Sequence, residues 1–332
     1  MKPLDLPPNV LRHFYAGGSR IAALRGLELG DDHMPEEWLA AVNTTFDGTR
    51  GLSRLEDGTL VRDAVAADPV GFLGPEHVKR FGSDTALLVK LLDAGQRLPV
   101  HFHPGRRFAR ERLGIGHGKT EAWLIVEAEP GAAVHVGFTE ETAEETVREW
   151  MRAQDKDALL GALRELPVSS GDGILIPAGT PHAIGAGILM VELQEPTDLS
   201  VVLEWEGFEL SEADADLGLG WPTALSALDR SAWDDARLAA LQATDARLLP
   251  AEADPYFRAE RVGGGDSLDR GFAVLVGLEG AGTLATEGGG ERPFARGDAL
   301  LVPFGAGAGE LRGDVRALRC RPPDPRAGEG RW

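Results

Sequence analysis

Hydrophobic and polar positions alternate over short stretches along most of this chain, and glycine, proline and aspartate punctuate them. From about residue 84 these stretches predict strands at 86–92, 100–103, 122–126, 134–138, 173–177, 188–193 and 200–204. Short strands at this spacing predict an antiparallel sandwich or a barrel of the jelly-roll kind. One stretch breaks the rhythm. Residues 139–165, rich in Glu, Ala, Leu and Arg, predict a helix with Thr139 or Thr142 as N-cap and Pro167 beyond its end. Residues 35–41 predict a helix start, 68–81 short helical pieces, and 222–248 a helical linker opened by Pro222.

The pattern then repeats. Gly-Asp-Gly-Ile-Leu-Ile-Pro-Ala-Gly at 171–179 returns as Gly-Asp-Ala-Leu-Leu-Val-Pro-Phe-Gly at 297–305. In both copies a Gly-Asp turn feeds an apolar strand that Pro-x-Gly ends. Strands at 271–278 and 282–286 precede the second copy, so residues from about 245 to 322 predict a second, smaller barrel of the same kind.

Length and charge narrow the classes of partner. The chain has 332 residues, 43% of them hydrophobic, enough for two domains and a sizeable core. A formal charge of −19 speaks against nucleic acid or an anionic membrane as partner, because both repel an acidic surface. A small anionic substrate feels its pocket instead. The single Cys320 permits no intrachain disulfide, and neither a basic-then-apolar leader nor an eighteen-residue apolar run is found, so the expected location is the cytoplasm. The sequence leaves the oligomeric state open.

The chemistry begins at His101 and His103. Residues i and i+2 of a strand share a face, and two imidazoles on one face suit a divalent metal. Glu121, opening the next strand, and His182, after Pro-Ala-Gly-Thr-Pro, complete a candidate set of three imidazoles and a carboxylate. That set suits Zn²⁺, and equally Fe²⁺, Mn²⁺ or Co²⁺. His-x-His, a Glu about twenty residues on, and a His after a Gly-Asp…Pro-x-Gly strand end is the pattern of the cupin superfamily. The predicted fold is therefore mainly β, with two cupin-type jelly-roll barrels, a helical insertion at about 139–166 and a helical linker. Residues 1–240 form the metal-bearing domain with its N-terminal extension, and 241–332 the smaller barrel. His182 falls on Ala308 in the second copy, which also has no His-x-His, so that barrel carries no metal ligands. His135 reads as a solvent-facing strand residue, and His117 as a possible lining of the metal pocket. Four arginines in seven residues, Arg106, Arg107, Arg110 and Arg112, follow the metal strand and suit bidentate contacts to phosphate.

These residues resemble one family, the type I mannose-6-phosphate isomerases, over most of the chain. The resemblance rests on residues 85–104 running into the His-x-His, on His-Gly-Lys-Thr-Glu-Ala-Trp at 117–123, and on the block from Ile176 through Gln194 to Asp198. It implies a zinc site at His103, Glu121 and His182, with His101 standing where the family usually has glutamine. It further implies that Lys119 contacts substrate and that Glu192 lies near the metal. Lys119 and Glu121, at i and i+2, can face one pocket. The implied reaction is interconversion of mannose 6-phosphate and fructose 6-phosphate through a cis-enediol, with Lys119, Glu192 or a metal-bound water as base. His117, Arg106 and Arg107 are further candidates for binding the sugar or its phosphate. One departure stands out. Where the family usually carries an arginine, four residues after the aspartate matched by Asp198, this chain has Val202. That keeps open an isomerase for another sugar or sugar phosphate, a non-catalytic sugar-binding cupin and, from the nitrogen-rich ligand set, a metal-dependent dioxygenase.

Overall fold

The structure, a computed structural model, describes residues 1–243 and 247–330. Residues 244–246 of the predicted linker and 331–332 of the predicted second barrel lie outside the described residues.

Strands dominate, in two pairs of antiparallel sheets. In the first pair, a six-stranded sheet runs Val10–Leu11, Glu36–Leu39, Leu88–Ala94, Ile188–Gln194, Glu121–Ala128, Gly173–Ile176. Its five-stranded companion runs Val201–Val202, His101–Phe102, His182–Ile184, Ala133–Phe138, Leu163–Pro167. Strand parity sorts the side chains. Val134, Val136 and Ile184 join the main apolar core with Val89, Leu91 and Trp123, whereas Phe102 and Ala183 pack outward against helical segments, and Phe138 joins them because a register shift after His135 reverses its face. His101 and His182, one residue out of step with Phe102 and Ala183, therefore point inward.

The second pair comprises a five-stranded sheet, in the order Leu4–Asp5, Ala299–Val302, Ala273–Glu279, Arg316–Arg321, Arg258–Gly263, and a four-stranded sheet, in the order Ser267–Leu268, Gly309–Gly313, Ala281–Thr286, Gly290–Ala295. Leu275 and Leu300 of the first pack with Leu284, Phe294 and Leu311 of the second. The strand Leu4–Asp5 reaches across the sequence to pair with Leu300 and Leu301. The main core likewise joins Val89 and Leu189 to Val274, Leu301 and Cys320.

The sequence repeat has a local cause. Gly171 and Gly297 both have positive φ, 98° and 88°. The Oδ2 atoms of Asp172 and Asp298 then accept the backbone N–H three residues back, from Ser169 at 2.7 Å and Ala295 at 2.8 Å. Each side chain thus closes its own turn before a buried strand, Gly173–Ile176 or Ala299–Val302.

Three expectations need correction. Residues 36–39 form a strand rather than a helix start, because all four are buried and pair in register with Leu88–Ala94, a tertiary constraint that outweighs local propensity. The insertion is two helices, Glu144–Ala153 and Lys156–Gly161, broken at Gln154 with φ 48° and restarted by an Asp155 cap. Neither Thr139 nor Thr142 caps it: Ala143 holds the N-cap position. Residues 163–167 are a strand paired with Ala133–Phe138, and Pro167 is its last residue instead of lying beyond a helix. The pieces at Pro69–Leu73 and Pro75–Phe81 are helical as expected, and the described residues of 222–248 hold the end of Trp221–Ala224, the 3-10 turn Leu225–Ala227 and the short helix Asp235–Ala239.

Candidate metal centre

Strand pairing sets His182 directly opposite His101, and their ring centroids lie 4.1 Å apart. His103 completes a triangle, 5.0 Å from His101 and 4.9 Å from His182. One nitrogen of each ring lies within 4.8 Å of the others, and all three rings are buried. The backbone fixes their orientation. Nδ1 of His101, His103 and His182 meets the carbonyl oxygens of Pro99, Leu199 and Thr180 at 2.8, 2.8 and 2.9 Å. A carbonyl only accepts, so each Nδ1 carries the proton and each Nε2 keeps its lone pair. Burial holds the imidazoles neutral, His103 and His182 at about 3 and His101 well below its ordinary value.

Glu121 closes the fourth side. Its Oε2 lies 3.1 Å from His103 Nε2, and its Oε1 lies 3.4 Å from His182 Nε2 while accepting the Trp123 indole N–H at 3.0 Å. Burial would raise this carboxyl, but the Lys119 ammonium, 3.0 Å from Oε2, keeps it well below the usual range. Lys119 Nζ also lies 2.8 Å from His103 Nε2. His182 Nε2 is buried without a hydrogen-bond partner among the described residues, and Glu121 Oε2 has the Lys119 ammonium and the His103 ring beside it. Unpaired buried acceptors are costly unless a cation completes them. Neutral imidazole nitrogens and an ionised carboxylate are the protonation states that ligation requires. The donor set therefore fits a divalent metal of the zinc type.

The loop delivering Lys119 and Glu121 depends on Gly118. A Cβ there would sit 2.6 Å from the Arg106 amide nitrogen and 2.7 Å from the Gly105 carbonyl carbon, so only glycine lets this loop lie against the helix Arg106–Leu113. The Lys119 N–H then donates to Pro104 O at 3.0 Å.

A cavity of about 440 Å³ opens on this centre, and His101, Lys119, Glu121, Glu192 and Val202 line it. Glu192 pairs across the sheet with Lys90 on one side and Trp123 on the other. Burial lifts its carboxyl to about 7 against the pull of Lys90, whose Nζ lies 3.6 Å from Oε1, and Glu192 Oε1 makes no hydrogen bond among the described residues. Lys90 is held between Glu192 and Glu36, whose oxygens also take the Tyr15 hydroxyl and the Trp38 indole N–H, each at 2.7 Å. Val202, opposite His101 in the sheet, presents an apolar wall.

Three predicted binders lie elsewhere. Arg106, Arg107 and His117 line a separate hollow of about 1030 Å³. Arg106 is tied to Glu195 and stacks over the Tyr256 ring at 4.4 Å. His117 Nε2 is 2.6 Å from Asp84 and Nδ1 is 3.7 Å from Glu195; against burial, these carboxylates lift it to about 9. His135 is mostly buried beside Glu165 rather than facing solvent, because Leu163–Pro167 covers that strand edge. The reading of the sequence missed Lys90, Glu36, Glu195 and Arg50, all but Glu195 on the cavity wall. Lys90 left a signal, a lone charge inside the apolar run 86–92. Arg50, from the loop after Glu36–Leu39, left none.

The search against family models gives no match. Among curated proteins, the chain is 32% identical over 201 residues to the mannose-6-phosphate isomerase of Streptococcus mutans, spanning 59% of this chain and 58% of that protein. It is 29% identical over 245 residues to mannose-6-phosphate isomerase ManA of Bacillus subtilis, spanning 71% and 75%. The first match therefore covers less than two thirds of the relative's length. Solved structures agree over nearly the whole chain. A putative mannosephosphate isomerase from Archaeoglobus fulgidus superposes with a TM-score of 0.76 at 20% identity, covering 97% of this chain and 98% of that one. The Bacillus subtilis mannose 6-phosphate isomerase gives 0.74 at 20%, covering 97% and 100%. A mannose 6-phosphate isomerase bound with zinc and yttrium gives 0.71 at 15%, covering 98% and 100%. At these identities the structural agreement speaks to the fold.

Proposed function

We propose that this chain is a member of the type I mannose-6-phosphate isomerase family and a metal-dependent aldose–ketose isomerase that interconverts mannose 6-phosphate and fructose 6-phosphate. The observation that carries this reading is the convergence of three neutral imidazoles and an ionised carboxylate beside Lys119 and Glu192 in one cavity. His101, His103, Glu121 and His182 would hold the metal, zinc first, with Fe²⁺, Mn²⁺ and Co²⁺ suited to the same donors. When bound, the ion supplies Lewis-acid polarisation of the sugar's carbonyl and hydroxyl oxygens.

The remaining work falls to side chains. Glu192, poised at about 7, is the group that takes the proton from C2 of the open-chain aldose and returns it to C1, passing through a cis-enediol. Its Oε1, which makes no hydrogen bond among the described residues and has the Lys90 ammonium 3.6 Å away, is available to accept that proton. Lys119 donates to sugar oxygens as negative charge grows on them, in a buried setting where such charge is worth more than in water. Lys90 and Glu36 fix Glu192 from behind.

A second reading has one specific observation in its favour. Val202 puts an isopropyl group on the cavity wall where the resemblance implies an arginine, which removes a charge and five donors. An isomerase for another sugar or sugar phosphate fits that wall. Turnover of the zinc-loaded protein on a panel of aldoses and their 6-phosphates separates the two readings. Preference for mannose 6-phosphate supports the first, preference for another sugar supports the second, and no turnover on any member contradicts both and leaves the non-catalytic cupin.

A further inference from the structure

The hollow behind the metal centre carries charge that the isomerase reading does not use. Every other described arginine in the chain has a carboxylate or carbonyl partner. Arg107, Arg110 and Arg112 alone have none among the described residues. All three lie on one helix, Arg106–Leu113, are exposed, and line the same hollow of about 1030 Å³. Glu111 and Glu329 line it too, yet neither comes within ion-pair distance of these arginines.

This concentration is unfavourable in an empty protein. The chain has 53 acidic residues against 34 basic ones, so carboxylates to neutralise a guanidinium are plentiful. Like charges three and four apart on a helix repel, and Arg106, Arg107 and Arg110 stand at those spacings. The helix dipole favours Arg110 and Arg112 in the last turn but opposes Arg107 in the first. Each guanidinium is a fork that binds phosphate oxygens in pairs.

We infer that this hollow is a second anion site, separate from the metal cavity, that takes a phosphate dianion, either free or as the phosphomonoester of a small metabolite. Arg106 of the same helix grips Glu195, whose Oε2 accepts the Thr120 N–H at 3.0 Å beside Glu121. The site is thus one residue away from the segment that carries Lys119 and Glu121.

Calorimetric titration of the zinc-loaded full chain with inorganic phosphate, and separately with mannose 6-phosphate, tests this. The comparison protein carries Arg107→Ala, Arg110→Ala and Arg112→Ala, and a second variant carries lysine at all three positions to keep the charge. The expected result is a phosphate-binding event in the parent that weakens at least tenfold in the alanine variant and partly recovers in the lysine variant. Binding of phosphate alone identifies the free ion as sufficient, and a tighter event for the sugar phosphate, lost in the same variant, identifies the phosphomonoester. Equal phosphate binding by parent and alanine variant, or no binding up to about 10 mM, a weak limit on the affinity scale, overturns the inference. So does a parent that self-associates in low salt while the alanine variant stays monomeric without any change in phosphate binding, since the arginines would then serve a second copy of this acidic chain. Circular dichroism and thermal melting confirm that both variants fold.

Discussion

Glu192 is the residue on which the proposed chemistry turns, and its environment sets a pH signature. A carboxyl lifted by burial to about 7 is protonated, and useless as a proton acceptor, below that pH. We therefore expect kcat/KM to rise with pH through about 7. Glu192→Gln should lower kcat by about 100- to 10,000-fold, the usual span for losing a general base, and remove that limb of the profile. Metal content by elemental analysis should stay unchanged, which separates proton transfer from ligation. His117 behaves differently. Its folded value, raised to about 9 against an ordinary 6.5, means its ion pairs with Asp84 and Glu195 stabilise fully below about 6.5 and are lost as pH climbs through 9. His117→Ala should cost on the order of 2 kcal/mol at pH 6 and much less at pH 10 in urea denaturation.

Among the elements, those read from alternation were found where expected, because inward and outward side chains leave a period of two that needs no tertiary knowledge. The failures have physical causes. Glu36–Leu39 is buried on both faces, so no alternation survives to mark it, and its charged residues find partners only in the folded sheet. The strand Leu163–Pro167 follows a helix-forming composition without a break until Ala162. The Gly-Lys-Thr-Glu loop was legible as chemistry but not as packing: nothing in the sequence says that Gly118 touches the Arg106 amide. That contact gives a prediction at this scale. Gly118→Ala should destabilise by about 1–3 kcal/mol, as overpacking does, and weaken zinc binding at least tenfold by displacing Glu121. Gly116→Ala, where a Cβ meets nothing within 4 Å, should leave zinc affinity as it is. Chelator-competition titration of the two variants reads the difference.

For the molecule as a whole, both sheet pairs share the Gly-Asp turn, yet every histidine precedes residue 183, so the second pair has no imidazole to offer a metal. We expect one zinc per chain. Its removal by a chelator should lower the melting temperature by about 5–10 °C, from a binding contribution of about 2.7 kcal/mol at a metal concentration a hundredfold above Kd. Among the described residues no helix is long and apolar enough to cross a membrane. The candidate ligand set was readable because each of its residues sits in a local motif. The arginine hollow was readable only as composition: four arginines in seven residues do not reveal that Arg107, Arg110 and Arg112 line a hollow apart from the metal cavity. The central claim is proton transfer between C1 and C2 in the metal cavity. NMR of mannose 6-phosphate with zinc-loaded protein in D₂O tests it most directly. The account predicts fructose 6-phosphate with solvent deuterium entering at C1 and, on reversal, at C2 of the aldose. Stoichiometric zinc with neither product nor exchange would contradict it.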